Sequence, residues 1–140
     1  CIPLFGGCNK SELNLLQVLQ NRAAHDVSRM PPRTSRSIMF DKLEWLTVQQ
    51  LIAYHTLITV FRTRLTKEPE DLATILSKDN ISGHIIMKNT QLGLYRESFV
   101  FRGAVLWNRM HLSLRKETKL GVFKKNVKQW VENNIPRFPN

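Results

Sequence analysis

The chain has 140 residues, a length typical of one domain, and 42% of them are hydrophobic. That share is enough to form a buried core, which excludes a wholly disordered chain. Lysine and arginine number 21 against 11 acidic residues, so the net charge is +10. A protein with such an excess usually has an anionic partner, most commonly nucleic acid. The most apolar run, residues 51–61, is too short to span a membrane and is interrupted by His55.

The N-terminal segment carries both cysteines and no targeting signal. It begins at Cys1 without the basic start and long apolar run of a signal peptide, so we expect the chain to be part of a longer protein. Cys1 and Cys8 have no further Cys or His nearby that would complete a zinc site. Two free thiols in a reducing compartment, nuclear or cytoplasmic, are favoured over a disulfide.

A first amphipathic helix is predicted from an N-cap at Ser11 to about Ser28, before Pro31 and Pro32. Its apolar residues recur at three- and four-residue steps, and this spacing predicts that one face of the helix packs against a core. The residues of that face are Leu15, Leu16, Leu19, Ala23 and Val27.

The middle of the chain predicts further helices. Residues 38–46 fit a short helix or turn, and the pair Thr47 and Gln50 predicts a capping box that opens a longer helix. Another short helix is predicted at Pro69, which suits a first helical turn. The apolar face of the longer helix is formed by Val48, Leu51, Ile52, His55, Ile58 and Phe61.

The segment that follows is ambiguous. Residues 84–87 fit a short strand, whereas residues 98–108 fit either a strand with a turn or a buried helix. A last helix is predicted from a cap at Thr118 to near Asn134, with apolar residues on one face and lysines around the other. We therefore predict a single, mainly α-helical domain over residues 1–140 with about four to five helices. A short β element between residues 80 and 105 stays an open alternative.

The sequence offers no set of side chains arranged for catalysis. Its histidines are scattered without a metal-ligand spacing, and it contains no phosphate-binding glycine loop. Glu68, Glu70 and Asp71 stand at a predicted helix start, where acidic side chains complement the helix dipole. We therefore expect no enzymatic activity in this chain, and no metal, cofactor or small-molecule substrate.

The positive charge is concentrated in residues 101–140, which carry nine Lys or Arg against two acidic residues. Such side chains bind nucleic-acid backbones by neutralising phosphates, with little reading of bases. A solvated basic face without a ligand is an equally good interpretation. Trp45, Trp107 and Trp130 have core-like spacing, so packing is favoured over base stacking. The predicted phosphate-contacting residues are Arg22, Arg29, Arg33, Arg36, Lys124, Lys125 and Lys128.

Six segments carry short motifs in a fixed order. Leu16–His25 reads LQVLQNRAAH, close to L-Q-x-x-Q-N-R-A-A-R, and residues 99–108 read FVFRGAVLWN, close to F-x-x-G-x-x-L-W-N. The others lie at Pro3–Cys8, Leu43–Val48, Leu112–Arg115 and Phe123–Lys128. Together they resemble the C-terminal tail of reverse transcriptases from non-long-terminal-repeat (LINE-like) retrotransposons of the jockey and chicken-repeat kind.

The resemblance covers roughly residues 3–130. It implies that catalysis belongs to a palm domain upstream of this chain. In that family the paired catalytic aspartates lie upstream, and the first helix of the tail would begin the thumb, which grips the template–primer duplex. The chain departs from the pattern at His25 in place of arginine, Thr47 in place of proline and Met110–His111 in place of a leucine–proline pair. The implied function is non-catalytic binding of RNA or an RNA–DNA hybrid.

An alternative from another class is a protein-docking module, or a degenerate remnant of the element, that does not bind nucleic acid. Such a module would dock on the upstream polymerase domain or on another protein, with Leu106 and Trp107 as anchors if they are exposed. A contiguous basic face that joins Lys124, Lys125 and Lys128 to Arg22 and Arg29 favours nucleic-acid binding, whereas a contiguous apolar patch favours docking.

Overall fold

A computed structural model describes residues 2–87 and 93–138, which form a mainly helical fold. This confirms the predicted fold class. A 3₁₀ helix, Ile2–Gly7, opens the chain, and eight α-helices follow within the described residues. They are α1 Lys10–Ser28, α2 Arg36–Leu43, α3 Val48–Thr66, α4 Glu70–Leu76, α5 Gly93–Glu97, α6 Phe99–Arg109, α7 Leu112–Arg115 and α8 Leu120–Asn134.

Helix α3 is the centre of the core, because α6, α8 and the 3₁₀ helix all pack against it. The ring of Phe61 on α3 stacks on Phe123 of α8 with centroids 4.0 Å apart. Trp107 of α6 lies beside the same phenylalanine, with centroids 6.0 Å apart. Leu57 and Val60, which the predicted apolar face did not include, are fully buried. Burial therefore extends over a wider arc of α3 than the sequence spacing indicated.

Residues 98–108, for which strand and helix were both open, form the N-cap and body of helix α6. Gly103 allows α6 to approach α3, because a Cβ atom built there would lie 2.8 Å from Cγ2 of Val60. Trp107 is 1% exposed and belongs to the core. Asn108 donates to the carbonyl oxygen of Ile85 at 3.0 Å and accepts from its amide at 2.8 Å. The Leu-Trp-Asn motif therefore has a structural role.

The β element left open between residues 80 and 105 is reduced to one isolated antiparallel bridge in the described residues. That bridge joins Asp79 to Ile85, and Asn108 holds Ile85 in place. The strand considered at residues 84–87 does not form as a strand. The part of the β prediction that falls on residues 88–92 lies outside the described residues.

The capping box predicted at the start of α3 is confirmed. Gln50 accepts a hydrogen bond from the Thr47 amide at 3.1 Å, and the Thr47 hydroxyl accepts from the Gln50 amide. The Gln50 side chain also donates to the carbonyl oxygen of Ile135 at 3.0 Å. This bond ties the start of α3 to the end of α8.

Two predicted helix caps were wrong. Helix α1 is capped by Asn9, which forms a capping box with Glu12, rather than by Ser11. Before α8, the Glu117 carboxylate accepts from the Thr118 and Lys119 amides at 2.8 and 2.9 Å, so Thr118 is not the cap. These two hydrogen bonds lower the pKa of Glu117, because they favour its charged form. The N-cap of α8 is Lys119, whose side chain makes no capping hydrogen bond, and the Glu117 carboxylate instead orders the two residues before the helix.

The orientation predicted for α1 was also wrong. Its buried residues are Ala24 and Ser28, whereas Leu15, Leu19 and Val27 are 62%, 51% and 58% exposed. These three side chains point away from the described core because carboxamide side chains on another face of α1 bind the rest of the protein. Three- and four-residue spacing identifies a face but does not say what covers it.

No helix in residues 2–87 or 93–138 is both long and apolar enough to cross a membrane.

We expect Gly103→Ala to lower the free energy of unfolding by about 1–3 kcal/mol, because the added methyl group overpacks the contact with Val60. Urea denaturation followed by circular dichroism measures the change. Gly121→Ala is the matched control, since no atom lies within 4 Å of a Cβ atom built in that helical position. Val60→Ala is itself destabilising because Val60 is fully buried, but the loss in the double variant should be smaller than the sum of the two single losses. Equal effects at Gly103 and Gly121 would contradict the close approach.

Candidate nucleic-acid interface

The inner face of α1 is built from carboxamides. Gln17 accepts from the Val48 amide at 2.9 Å and donates to both Gln20 and Asn21. Gln20 donates to the carbonyl oxygen of Leu46 at 2.8 Å. These bonds attach α1 to the segment that leads into α3. The glutamines and asparagine of the L-Q-x-x-Q-N motif therefore position the helix.

A cavity of about 310 Å³ lies beside this contact, between α1, the start of α3 and residues 137–138. We call it the amide pocket, because carboxamides and two arginines provide its polar lining. Arg36 lies over the Phe138 ring at 4.8 Å. The described lining contains no acidic residue. It consists of Leu13, Asn14, Gln17, Val18, Asn21, Arg36, Val48, Gln49, Arg137 and Phe138.

A second cavity, of about 430 Å³, lies on the other side of the Gln17–Gln20 contact. We call it the aromatic groove. Its walls are mostly apolar, and Trp45 and Tyr54 are only partly buried within it. Trp107 and Trp130 are buried. Trp45 therefore keeps accessible ring surface, unlike the other two tryptophans. The groove is lined by Gln20, Glu44, Trp45, Leu46, Leu51, Tyr54 and Lys128.

A third cavity, of about 630 Å³, runs along the outer side of α8 and is called the lysine groove. It carries both signs of charge, and Arg137 forms an ion pair with Asp41 inside it. Lys128 reaches towards the Glu44 carbonyl oxygen at 3.5 Å. The lining residues are Asp41, Glu44, Lys125, Lys128, Gln129, Glu132, Asn133 and Arg137.

The three cavities share walls, so they form one continuous surface. Arg137 borders both the amide pocket and the lysine groove, and Lys128 borders both the lysine groove and the aromatic groove. Arg36, which was predicted with the arginines near the first helix, thereby lies on the same surface as Lys125 and Lys128 of α8. The site prediction missed Arg137, which stands alone between Pro136 and Phe138 and belongs to no basic run.

Lys124 is not among the described wall residues of the three cavities and lies on the side of α8 that faces His55. It lies one helical turn before Lys128 and acts on His55 together with Arg62. Burial lowers the pKa of His55 below its ordinary value of 6.5, and the positive charges of Arg62 and Lys124 lower it further. We refer to Lys124, Lys125, Lys128, Arg137 and Arg36 as the basic band.

The other predicted phosphate-contacting residues lie apart from these cavities. Arg22 is exposed on α1, Arg29 ends that helix in the left-handed conformation, and Arg33 lies in the turn before α2. All three lie outside the described walls of the amide pocket, the aromatic groove and the lysine groove. The seven predicted residues therefore do not form a single cluster.

An apolar surface also exists, but the predicted docking anchors do not form it. Trp107 is buried and Leu106 packs against the core, so neither is an exposed anchor. Four exposed apolar residues of α1 lie outside the walls of the amide pocket and of the aromatic groove. We call this set the leucine face; it consists of Leu15, Leu16, Leu19 and Val27. The fifth exposed apolar residue of the helix, Val18, borders the amide pocket.

Comparison with known proteins finds no match to a protein-family model, to a curated protein or to a solved structure.

We expect an NMR titration to give His55 a pKa below 6.5, and Lys124→Gln to raise it by removing a nearby positive charge. Lys125→Gln is the matched control, because Lys125 is exposed on the outer side of α8 and should leave this pKa unchanged. The folded pKa lies below the unfolded one, so protonation of His55 favours unfolding. The stability that His55 contributes is therefore present above pH 6.5 and is lost as the pH falls towards the folded pKa. Equal responses to both lysine variants would contradict the placement of Lys124.

Proposed function

We propose that this chain is a non-catalytic region of a retrotransposon reverse transcriptase that binds the backbone of RNA or of an RNA–DNA template–primer. The observation that carries the proposal is the continuous surface formed by the three cavities, which is bordered by four of the five residues of the basic band, Arg36, Lys125, Lys128 and Arg137. The resemblance of its motifs to that family supplies the biological context. The net charge of +10 gives the attraction to a polyanion.

Phosphate neutralisation is the main contribution to binding. Lys124, Lys125 and Lys128 are partly or fully exposed and lie within two turns of one helix. Their ammonium groups would displace counterions from successive phosphates, which supplies affinity without base specificity. Asp41, Glu44 and Glu132 reduce the local charge, so the binding should be moderate and sensitive to salt.

The aromatic groove adds a second kind of contact. Trp45 and Tyr54 line it, next to Lys128 of the basic band. Unpaired bases stack on accessible aromatic rings whatever their identity, while a neighbouring lysine holds the backbone. This arrangement favours a strand with unpaired bases over a fully paired duplex.

We expect the triple variant Lys124→Gln, Lys125→Gln, Lys128→Gln to bind a mixed-sequence RNA oligonucleotide more weakly at every salt concentration. If each lysine neutralises one phosphate of a single strand, the slope of log K against log salt should fall in magnitude by about two. Fluorescence anisotropy across a salt series measures both quantities. Wild-type binding that did not weaken as salt increased would overturn the proposed mechanism.

The matched control removes the same charge elsewhere, with Lys67→Gln, Lys78→Gln and Lys116→Gln. All three lysines are exposed and lie outside the basic band. This control should keep most of the affinity and of the salt slope. Equal losses in the two triple variants would mean that net charge alone, and not the basic band, determines binding.

Docking of a protein on the leucine face is a second candidate function. The observation that favours it is the exposure of four apolar side chains on α1, away from the amide pocket. A folded protein rarely leaves such a stripe uncovered unless another surface binds it. The upstream polymerase domain implied by the resemblance is the partner we propose for this face.

For this candidate, we expect Leu15→Gln with Leu19→Gln to weaken binding to the upstream polymerase domain at least about tenfold. The free energy of unfolding should change by less than about 0.5 kcal/mol per site, since both side chains are more than half exposed. Isothermal titration calorimetry and urea denaturation measure the two effects. Leu65→Gln with Leu112→Gln is the control, because these leucines have similar exposure away from α1. Unchanged affinity in the α1 variant would exclude docking through the leucine face.

A further inference from the structure

The amide pocket has a chemical character that backbone neutralisation does not require. Phosphate contacts need only positive charge, yet this pocket presents side-chain amides in a concave site of about 310 Å³. That volume is at the lower end of the range for small-ligand sites. The pocket is therefore suited to a compact ligand with both hydrogen-bond donors and acceptors.

Several of its amide groups are available to a ligand. Gln17 is fully engaged through its carbonyl oxygen and its amino group. Asn21 uses its carbonyl oxygen to accept from Gln17, which leaves its amino group free to donate. The side chains of Asn14 and Gln49 form no hydrogen bond within the part of the chain that the structure describes. Because a carboxamide carries a donor beside an acceptor, it pairs well with the edge of a nucleobase.

The remaining walls suit the other parts of a nucleotide. Val18 and Val48 supply apolar surface for the face of a base. Arg36, held over the Phe138 ring, and Arg137 supply guanidinium groups, which bind phosphate oxygens in pairs. Arg137 also forms an ion pair with Asp41 in the neighbouring lysine groove, so part of its hydrogen-bonding capacity is already used. Arg36 is therefore the principal phosphate ligand.

We propose that the amide pocket binds one nucleotide of the nucleic-acid strand, with Arg36 and Arg137 at its phosphate and Asn14, Asn21 and Gln49 at the edge of its base. This inference rests on the proposed nucleic-acid binding and deepens it, because it adds a point of base recognition to a surface that otherwise contacts only the backbone. A strand lying along the lysine groove would reach the pocket past Arg137, which borders both.

The test titrates the full 140-residue chain, labelled with ¹⁵N, with the four nucleoside 5′-monophosphates and separately with inorganic phosphate. We expect one nucleotide to bind at least about tenfold more tightly than inorganic phosphate, since base-edge contacts add discrimination. The side-chain amide signals of Asn14, Asn21 and Gln49 should shift with it. Arg36→Gln should weaken all nucleotides alike, because it removes the phosphate contact and leaves the base contacts.

Paired variants separate base recognition from backbone binding. Asn14→Ala with Gln49→Ala should abolish the preference for one nucleotide and leave the salt slope of mixed-sequence oligonucleotide binding unchanged, because the slope depends on phosphate contacts alone. Gln129→Ala with Asn133→Ala removes the same residue types from the lysine groove and should preserve the preference. Inorganic phosphate binding as tightly as every nucleotide, or equal effects of the two double variants, would overturn the inference. Oligonucleotide binding would still stand in those cases, whereas its absence in the wild type would refute the proposed function itself.

Discussion

The arrangement of this protein depends on hydrogen bonds from glutamine side chains to the backbone around the start of α3. Gln17 and Gln20 reach from α1 to Val48 and Leu46, and Gln50 reaches from α3 to Ile135. A buried backbone group without a partner is costly, so these contacts fix the helices more specifically than apolar packing would. Turning the leucine face of α1 inward would break the first two bonds. The same bonds therefore create the amide pocket and expose the leucine face.

Two surfaces of different character result, and they do not compete for the same residues. The basic band and its cavities lie along α8, the start of α2 and residues 137–138, with the inner face of α1 as one wall. The leucine face lies on the outer side of α1. A protein partner bound there would leave the three cavities open to a strand. The two candidate functions are therefore compatible, and a single chain could connect a polymerase domain with its template.

The sequence predicted the parts that depend on local chemistry. The helices at 10–28, 48–66 and 120–134 follow from the spacing of apolar residues, and the Thr47–Gln50 box and the acidic start of α4 follow from capping and dipole rules. The caps of α1 and α8 were placed on the wrong residues, because several neighbouring polar side chains can cap a helix start. What it could not predict depends on contacts between distant residues. The inward face of α1 is determined by a backbone segment near Leu46, and the role of Gly103 appears only beside Val60. Arg137 belongs to the site because the chain after α8 places it beside the same pocket as Arg36. No local sequence pattern indicates that these two residues lie near each other.

The bond between Gln50 and Ile135 joins residues separated by 85 positions, and it has a consequence for how the protein is made. Helix α3 leaves the ribosome long before α8, which supplies Phe123 and the aliphatic partners of its core face. At ordinary rates of translation that interval lasts roughly 4–17 s. During this time α3 lacks α8, although the 3₁₀ helix that also packs against it has already been made. The apolar side chains that α8 covers are then open to chaperones and to neighbouring nascent chains. Folding of this domain is therefore completed after synthesis of residue 135 and cannot proceed helix by helix.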